Sequence, residues 1–488
     1  MQAASWNVFV GRRVILATTL LCLAAGCWFP TSGRAEDWPK YRRDLSNTGL
    51  SAETFVSSAN VSSLQLKWKF SPGGYVTASP AVATVNGRSM VFVGAWNGIF
   101  VALEAVTGAF KWSFQIDPVQ NCNQDSCTRI ASSAAVMNGM VYFGAANGYL
   151  YALNASTGAL VWKVLMGDPN QGYEVWTSPL VYGGIVYAGV ASHTDTPCVP
   201  GYLEAFNAAT GAPVWTFQAL DQSTCPTGAG TCTGAGVWAS PALDAQFGSL
   251  YIGTSNPGSS CTPSTANATL YPDSVVALNP ITGKVQSYYQ ATQNDQLDQD
   301  IGSSPVLHQT EQYNFALNKF SVNYWVTEAS KDHYVYTLSR GLGGLIPSSV
   351  QSVNFGEEII ASPAVLPIIG TLGTSTIGWG NDIWVTGDVG TLGVVRQNIN
   401  GSTSLLGTIS TQASYSAPAL INDLLFYGRN DGEFVAVLTK PTTQLTPGAI
   451  VYQFTTGGAV AGGPAISNGR IYFGSADGHL YCLSIGGN

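Results

Sequence analysis

Short runs of alternating apolar and polar residues, separated by turn residues, recur along most of the chain. Alternation with period two in segments rich in β-branched and aromatic residues predicts strands, and the Asn-Gly and Thr-Gly pairs predict the turns between them. Four such strands in each copy predict one blade of a β-propeller. The second copy shows the pattern in full: Ser133-Ala134-Ala135-Val136, Val141-Tyr142-Phe143-Gly144, Asn147-Gly148, Leu150-Tyr151-Ala152-Leu153, Thr157-Gly158 and Val161-Trp162-Lys163.

The copies predict a single propeller of eight blades, or of seven if one copy is spurious. The last copy lacks its final strand, and Leu66-Lys67-Trp68-Lys69-Phe70 can supply it, so that an N-terminal strand closes the ring and removes both exposed edges. The predicted organisation is a signal peptide over 1–35, an extended segment over 36–65 and the propeller over 66–488. Each copy opens with a Ser-Pro-like pair: Ser79-Pro80, Ser133-Ala134, Ser178-Pro179, Ser240-Pro241, Ser304-Pro305, Ser362-Pro363, Ala417-Pro418 and Gly463-Pro464.

The Trp residues of the fourth strands have a packing role in this interpretation. A large apolar ring with one N–H group suits a contact between neighbouring sheets. We expect this role for Trp112, Trp162 and Trp215.

Composition supports an all-β fold and excludes some partners. Charged residues are only 10% of the chain, against about 25% in average proteins, and the chain has 55 Gly. The net charge is −8 without any Lys/Arg cluster, so nucleic acid is not expected as a partner. With four His in the chain, a multi-His zinc site is not expected either.

The N-terminus has the features of an export signal. Arg12 and Arg13 precede an apolar run over 14–25, which is too short for a permanent membrane span. Cleavage after Gly33-Arg34-Ala35 is one interpretation, and a lipid anchor at Cys27, in a lipobox-like Leu23-Ala24-Ala25-Gly26-Cys27, is the other. We expect a periplasmic or secreted protein, with a lipoprotein as the alternative, and no transmembrane segment once the signal is removed.

An exported chain makes disulfides the default expectation for its cysteines. Cys122 and Cys127 bracket one short loop, Cys225 and Cys232 bracket another, and Cys198 and Cys261 could pair across neighbouring loops. Cys482 lies within an apolar strand and is predicted to be a buried free thiol. No Cys-x-x-Cys-His motif for covalent haem occurs.

The segment before the repeats carries a family resemblance. Asp37-Trp38-Pro39-Lys40-Tyr41-Arg42 and Asn47-Thr48-Gly49, followed by these repeats, resemble the pyrroloquinoline quinone (PQQ)-type propeller superfamily. That superfamily includes quinoprotein alcohol dehydrogenases and also non-catalytic envelope scaffolds, so the function has to be argued from the site.

The fourth copy is similar to the quinoprotein alcohol dehydrogenases, and closest to the polyvinyl alcohol dehydrogenase branch. The resemblance implies that Trp238 forms the floor beneath the flat quinone and that Asn256, eighteen residues later, ligates the metal. It also implies that Asp298 is the catalytic base, although Leu297 stands where the family has Trp. Alone, Trp238 could be core, Asn256 could shape a turn, and the acidic residues could be a solvated loop.

Further roles follow from the same resemblance. Arg129 matches an Arg that pairs with the quinone carboxylates, and Lys331 matches a cofactor-binding Lys. Ser192 is a further cofactor-binding candidate, and Asp195 stands three residues later, where the family has a metal-binding Glu. Asp298 and Asp300 have the spacing of lanthanide-dependent members. Ca²⁺ is the default cation, and a lanthanide ion is the alternative.

These residues predict a PQQ-dependent alcohol dehydrogenase. The cation would polarise the quinone carbonyl while Asp298 takes the hydroxyl proton of an alcohol substrate. Electrons would pass to a separate acceptor such as a cytochrome c or a quinone. The alternative is a non-catalytic binding or assembly scaffold, which two departures favour: Asp195 in place of Glu, and the absence of an adjacent Cys pair. Glycan hydrolysis by paired carboxylates is weaker, because no acid pair has supporting motif context.

Overall fold

The described part of the chain consists of strands and loops, with three short 3₁₀ turns at Val61–Ser63, Asp125–Thr128 and Pro169–Gln171. The computed structural model describes residues 36–119, 125–192, 199–220, 233–257, 271–293, 295, 297–373, 375–440 and 448–486. The predicted signal region therefore lies outside the described residues. No helix with the length and apolar character of a membrane span occurs within these ranges.

The first half of the fold is a series of small sheets formed by strands close together in sequence. Strands β3–β6, β7–β10, β12–β15 and β16–β19 each form one group of four, and β11 adds to β13. Their bounds are β1 Leu50–Ser51, β2 Leu64–Phe70, β3 Ala81–Val85, β4 Arg88–Gly94, β5 Ile99–Glu104, β6 Phe110–Gln115, β7 Ala135–Met137, β8 Met140–Gly144, β9 Tyr149–Asn154, β10 Leu160–Leu165, β11 Tyr173–Glu174, β12 Leu180–Tyr182, β13 Ile185–Ser192, β14 Tyr202–Asn207, β15 Pro213–Gln218, β16 Ala242–Asp244, β17 Ser249–Gly253, β18 Ser274–Leu278 and β19 Val285–Gln290.

The second half repeats this arrangement with two longer groups. Strands β20–β23 and β24–β27 are joined into one eight-stranded sheet by pairing of β20 with β25. The bounds are β20 Val306–Asn314, β21 Lys319–Ala329, β22 Tyr334–Gly341, β23 Gly344–Asn354, β24 Ala364–Leu372, β25 Thr376–Thr386, β26 Thr391–Gln397, β27 Thr403–Ser410, β28 Ala419–Ile421, β29 Leu424–Gly428, β30 Glu433–Leu438, β31 Ile450–Thr455, β32 Ala465–Ser467, β33 Arg470–Ser475 and β34 His479–Ile485.

The two ends of the chain meet in one sheet. Strand β2 pairs antiparallel with β34, next to β33 and β32, with Trp68 opposite Cys482. Strand β1 adds in parallel to β28 of the preceding sheet. Apart from β1, the pairings within the sheets are antiparallel, and the all-β prediction is confirmed.

The core lies between neighbouring sheets, and the Trp residues link them as predicted. Phe100 of β5 stacks on Phe143 of β8 with ring centroids 4.1 Å apart. The indole N–H of Trp112, on β6, donates to the carbonyl of Ala155, which follows β9, at 3.1 Å. The same bond recurs from Trp68 to Ala105, from Trp162 to Ala208 and from Trp215 to Pro280.

A line of serine hydrogen bonds connects the openings of successive copies. In each case the backbone N–H of one opening Ser donates to the hydroxyl oxygen of the next. The line runs from Ser79 to Ser133, Ser178, Ser240, Ser304 and Ser362, over distances of 2.9–3.1 Å. Beside it lies a cavity of about 160 Å³ lined by residues of all eight openings.

The segment before the first sheet runs along the first strands of six four-strand groups, two of which belong to the joined sheet β20–β27. Its carbonyl groups accept hydrogen bonds from the first strand of each of these six groups, and Asn47 Nδ2 adds bonds to the carbonyls of Ser240, Pro241 and Pro305. The carbonyl acceptors and their backbone donors are Trp38 with Val82, Pro39 with Val136, Leu45 with Leu243, Ser46 with Leu307, Thr48 with Val365 and Gly49 with Leu420.

Candidate functional site

Trp238 lies on the wall of the cavity, two residues before the opening Ser240. Gly302 packs against its ring: a Cβ atom on Gly302 would lie 2.7 Å from Cζ2 of Trp238. Only a residue without a side chain allows this approach. The backbone at Gly302 therefore packs directly against the Trp238 ring, and part of the Trp238 side chain stays exposed.

One lysine joins two of the predicted acidic residues. Lys331 Nζ is 2.9 Å from Asp298 Oδ1 and 2.8 Å from Asp300 Oδ2, and 5.9 Å from the ring centroid of Trp238. Asp298 is exposed and has left-handed backbone at φ 62°, whereas Asp300 is buried. This loop therefore presents one exposed carboxylate and one buried carboxyl to the same ammonium group.

The charges in this group influence one another. Burial raises the pKa of Asp300, and the ion pair with Lys331 opposes that rise. Burial alone would lower the pKa of Lys331, but the contacts with Asp300 and Asp298 outweigh it and raise the pKa. Lys331 thus remains a cation at neutral pH.

Asn256 completes the constellation from a neighbouring loop. It is buried, and its backbone N–H donates to Asp300 Oδ1 at 2.8 Å. Its side-chain Nδ2 has no hydrogen-bond partner within the described ranges. The structure therefore brings Trp238, Asn256, Asp298, Asp300 and Lys331 together.

Asp295 shapes the loop that carries the two acidic residues. Its Oδ1 accepts from the backbone N–H of Leu297 at 2.7 Å, and its Oδ2 accepts from that of Gln299 at 2.6 Å. These bonds fold the loop tightly and leave Asp298 and Asp300 on either side of Lys331. Asp295 thus has a structural role beside the site.

Arg129 lies between two aromatic rings and next to a buried acid. Its guanidinium carbon is 4.0 Å from the ring centroid of Trp176 and 5.5 Å from that of Trp96. Its Nη2 donates to Glu174 Oε2 at 2.6 Å, and both side chains are buried. Because Trp176 lines the same cavity as Trp238, Arg129 is fixed next to that cavity.

Trp176 and Glu174 were not predicted, although one signal for Trp176 is present in the sequence. The residue two positions before each opening lines the cavity, and Trp176-Thr177-Ser178-Pro179 matches Trp238-Ala239-Ser240-Pro241. The lining residues at this position are Thr77, Ala131, Trp176, Trp238, Gly302, Ile360, Tyr415 and Ala461. Three are aromatic and most of the others are small, so the aromatic surface is confined to part of the wall.

Asp273 was also not predicted. It is fully buried, and neither carboxyl oxygen has a hydrogen-bond partner within the described residues. Burial, and then the nearby charges of Asp300 and Asp295, raise the pKa of Asp273 to about 9.

The remaining predicted residues are placed only in part. Ser192 ends β13, and its Oγ accepts from the backbone N–H of Val199 at 3.0 Å. Asp195 lies outside the described residues, as do Cys122, Cys198, Cys225, Cys232 and Cys261. Cys127 is disulfide-bonded. Cys482 is free and buried, as predicted.

The donor types at this constellation fit a hard cation. An amide from Asn256 and carboxyl groups from Asp298 and Asp300 are the oxygen donors that Ca²⁺ and lanthanide ions take. The unpartnered polar atoms of Asn256 and Asp273 indicate polar groups that a ligand could organise. Within the described ranges, no group of three or more His, Cys, Asp and Glu side chains is placed to hold a metal ion.

The fold and this site define a propeller of the quinoprotein type. Residues 38–350 match the PQQ family described as the glucose/ethanol/alcohol dehydrogenase β-propeller domain. This match extends over more than half of the chain, and the chain belongs to that family.

Individual relatives agree with this assignment. The chain is 32% identical over 308 residues to a quinohemoprotein alcohol dehydrogenase of Comamonas testosteroni, covering 55% of this chain and 40% of the relative. It is 27% identical over 356 residues to a lanthanide-dependent methanol dehydrogenase of Methylacidiphilum fumariolicum (strain SolV), covering 66% of this chain and 56% of the relative. The chain thus spans about half of the length of these relatives.

Solved structures show the same fold. A europium-containing methanol dehydrogenase superposes with a TM-score of 0.70 at 20% identity, covering 92% of this chain and 98% of that one.

Proposed function

We propose that this protein is a PQQ-dependent alcohol dehydrogenase with Asp298 as its general base. The observation that carries the proposal is the meeting of Trp238, Asn256, Asp298, Asp300 and Lys331 beside one cavity. These residues come from four separate loops. Family membership supports the class of reaction, and the residue roles are specific to this proposal.

The chain's own groups divide the work of binding. Trp238 offers a flat surface for the quinone, and Arg129, held by Glu174, offers a fixed guanidinium for its carboxylates. Asn256 and Asp300, with Asp195 and Asp298, are the candidates to hold the cation. Ca²⁺ is the default ion, and the Asp298–Asp300 pair makes a lanthanide ion the alternative.

The chemical step needs one proton acceptor from the chain. Bound PQQ with its cation supplies the electrophilic carbonyl that takes the hydride from the substrate carbon. The Asp298 carboxylate takes the hydroxyl proton of the alcohol. Its exposure leaves it accessible to a substrate, while Lys331 fixes its position beside Asp300.

The architecture proposed for this enzyme is an eight-bladed ring closed by β2. Eight groups of four strands support the count when the joined sheet β20–β27 is taken as two. The pairing of β2 with β34 supports the closure. Such closure would protect the edges of the first and last blades.

The proposed setting is the periplasm or the exterior, with the lipid anchor at Cys27 as the alternative to release. The apolar run over 14–25 after Arg12 and Arg13 supports export. A polyvinyl alcohol dehydrogenase-like substrate preference is proposed from the order of residues in the fourth copy. A separate acceptor, a cytochrome c or a quinone, would take the electrons.

The Asp298→Asn variant tests the proposed base. We expect roughly a 100-fold or greater fall in kcat for alcohol oxidation, because a general base contributes about 10²–10⁴-fold. PQQ binding should persist, because Asn keeps the shape of the side chain. The measurement is dye-coupled oxidation of alcohols by protein reconstituted with PQQ and Ca²⁺ or La³⁺, beside an absorbance titration for binding.

Asp117→Asn is a matched control for that variant. Asp117 forms an ion pair with Lys163, at 2.5 Å, and neither residue lines the cavity. It should keep the activity of the unaltered chain. Undiminished turnover in Asp298→Asn would show that the base is assigned wrongly.

A further inference from the structure

Two buried polar side chains near the site have no hydrogen-bond partner within the described residues: one offers a donor and the other offers acceptors. Asn256 is 3% exposed and Asp273 is 0% exposed. The amide nitrogen Nδ2 of Asn256 has no acceptor, and both oxygens of Asp273 have no donor, within the described part of the chain. An unpartnered buried polar group costs about 1–3 kcal/mol, so a state that pairs them would be favoured.

The backbone places Asp273 next to Ser255, the residue that precedes Asn256. The N–H of Asp273 donates to the carbonyl of Ser255 at 3.1 Å, and the N–H of Thr254 donates to the carbonyl of Ser274 at 3.0 Å. The segment ending at Asn256 therefore runs next to the segment that begins β18. Asp273 has left-handed backbone at this junction, with φ 48°.

Asp300 connects both residues to the proposed cation site. Its Oδ1 accepts from the backbone N–H of Asn256, and its charge is the largest electrostatic influence of a neighbouring residue on Asp273. The buried carboxyl of Asp273 is therefore within electrostatic reach of Asp300, whose own carboxylate holds the backbone of Asn256. No other role for this buried carboxyl is evident from its contacts.

We propose that Asp273 is a positioning residue that accepts a hydrogen bond from Asn256 Nδ2 and thereby turns Asn256 Oδ1 toward the cation. An amide offers its oxygen on one side and its nitrogen on the other, so fixing the nitrogen fixes the oxygen. Groups that orient metal ligands in this way typically change metal affinity 10–100-fold. The inference rests on the proposed function, because Asn256 is a ligand only under that proposal.

A Tb³⁺ titration of the whole purified chain, stripped of ions and without PQQ, tests this role. Luminescence sensitised by nearby Trp residues reports occupancy without any turnover. Asp273→Leu removes the acceptor at similar volume and should weaken Tb³⁺ binding 10–100-fold. Asp273→Asn keeps an oxygen acceptor and should retain affinity within a few-fold of the unaltered chain.

Two further variants make the comparison specific. Glu328→Gln alters another fully buried carboxyl, one that accepts from Ser303 Oγ at 2.8 Å, and should leave Tb³⁺ affinity unchanged. Asp273→Ala replaces Asp273→Leu if the latter fails to fold, as judged by circular dichroism. The same 10–100-fold loss is expected from it.

The outcomes separate this inference from the proposed function. Unchanged Tb³⁺ affinity in Asp273→Leu and Asp273→Ala would overturn it, and so would an equal loss in Asp273→Asn, because that variant keeps an oxygen acceptor. If the unaltered chain takes up no Tb³⁺, the inference also fails. Failure to bind PQQ would instead contradict the enzyme proposal, and Tb³⁺ affinity would still report on Asp273.

Discussion

His308 shows how a single buried residue sets the pH range of stability. Its Nδ1 lies 3.2 Å from Asn381 Nδ2, which can only donate, so Nε2 carries the proton and donates to Thr327 Oγ1 at 2.7 Å. Burial lowers the pKa of His308 from its ordinary 6.5 to about 3. The folded state therefore keeps this imidazole neutral.

The consequence is a loss of stability in acid. Between pH 6.5 and 3 the unfolded chain binds the proton and the folded chain does not, so the contribution is complete above pH 6.5 and falls below it. We expect His308→Gln to remove about 3 kcal/mol of the fall in unfolding free energy between pH 7 and pH 4. Urea unfolding of both proteins at the two pH values measures this. An equal fall in unfolding free energy in the two proteins would contradict it.

Candidate site residues could be predicted from the sequence where their order and spacing fall within one copy. Trp238, Asn256 and Asp298 follow one another in the fourth copy, and the structure brings the first two and the acidic loop together. Glu174 acts through Arg129, forty-five residues away, and Asp273 is notable only for its burial. Neither property can be seen in a single sequence.

The strands and turns were the easiest features to predict from the sequence, because the residues that form them are close together within each copy. The indole of Trp112 lies over Gly158 of the next copy, where a Cβ atom would meet Cε3 at 2.5 Å. Gly158 also has left-handed backbone, at φ 72°. The Thr-Gly turn thus serves the contact between sheets as well as the chain reversal.

Alanine substitution of Gly158, compared with that of Gly139, separates backbone strain from the clash with Trp112. Gly158→Ala should lower the unfolding free energy by about 2–4 kcal/mol through backbone strain and the clash with Trp112. Gly139→Ala has the same kind of backbone, at φ 77°, with open space around the Cβ position, and should cost only about 1 kcal/mol. Equal losses in the unfolding midpoint of the two variants would contradict a packing role for the turn.

The sequence did not predict that β20–β23 and β24–β27 join into one sheet. Strand β25 pairs with β24 and β26 and, through Thr376–Trp379, also with β20. This pairing connects two copies whose alternation patterns are the same as elsewhere. Pattern alone gives strand positions and does not say which copies will extend their strands to meet.

At the scale of the whole molecule, the segment before the first sheet connects the inner strands. Its backbone accepts hydrogen bonds from six of the four-strand groups, and the Asn47 side chain donates to carbonyls next to two of them. The sequence predicted an extended segment here without its partners, since those depend on how all copies are arranged. The same arrangement brings the residues of all eight openings to one cavity.

Under the proposed function, this cavity binds PQQ through a cation. A measurement of PQQ binding tests this more directly than a measurement of turnover. The measurement is an absorbance titration of the purified chain with PQQ, first with Ca²⁺ and then with La³⁺, beside the Asn256→Ala variant. We expect saturable binding that requires the ion and is lost in the variant. Absence of binding with either ion would contradict the enzyme proposal and leave the scaffold interpretation in its place.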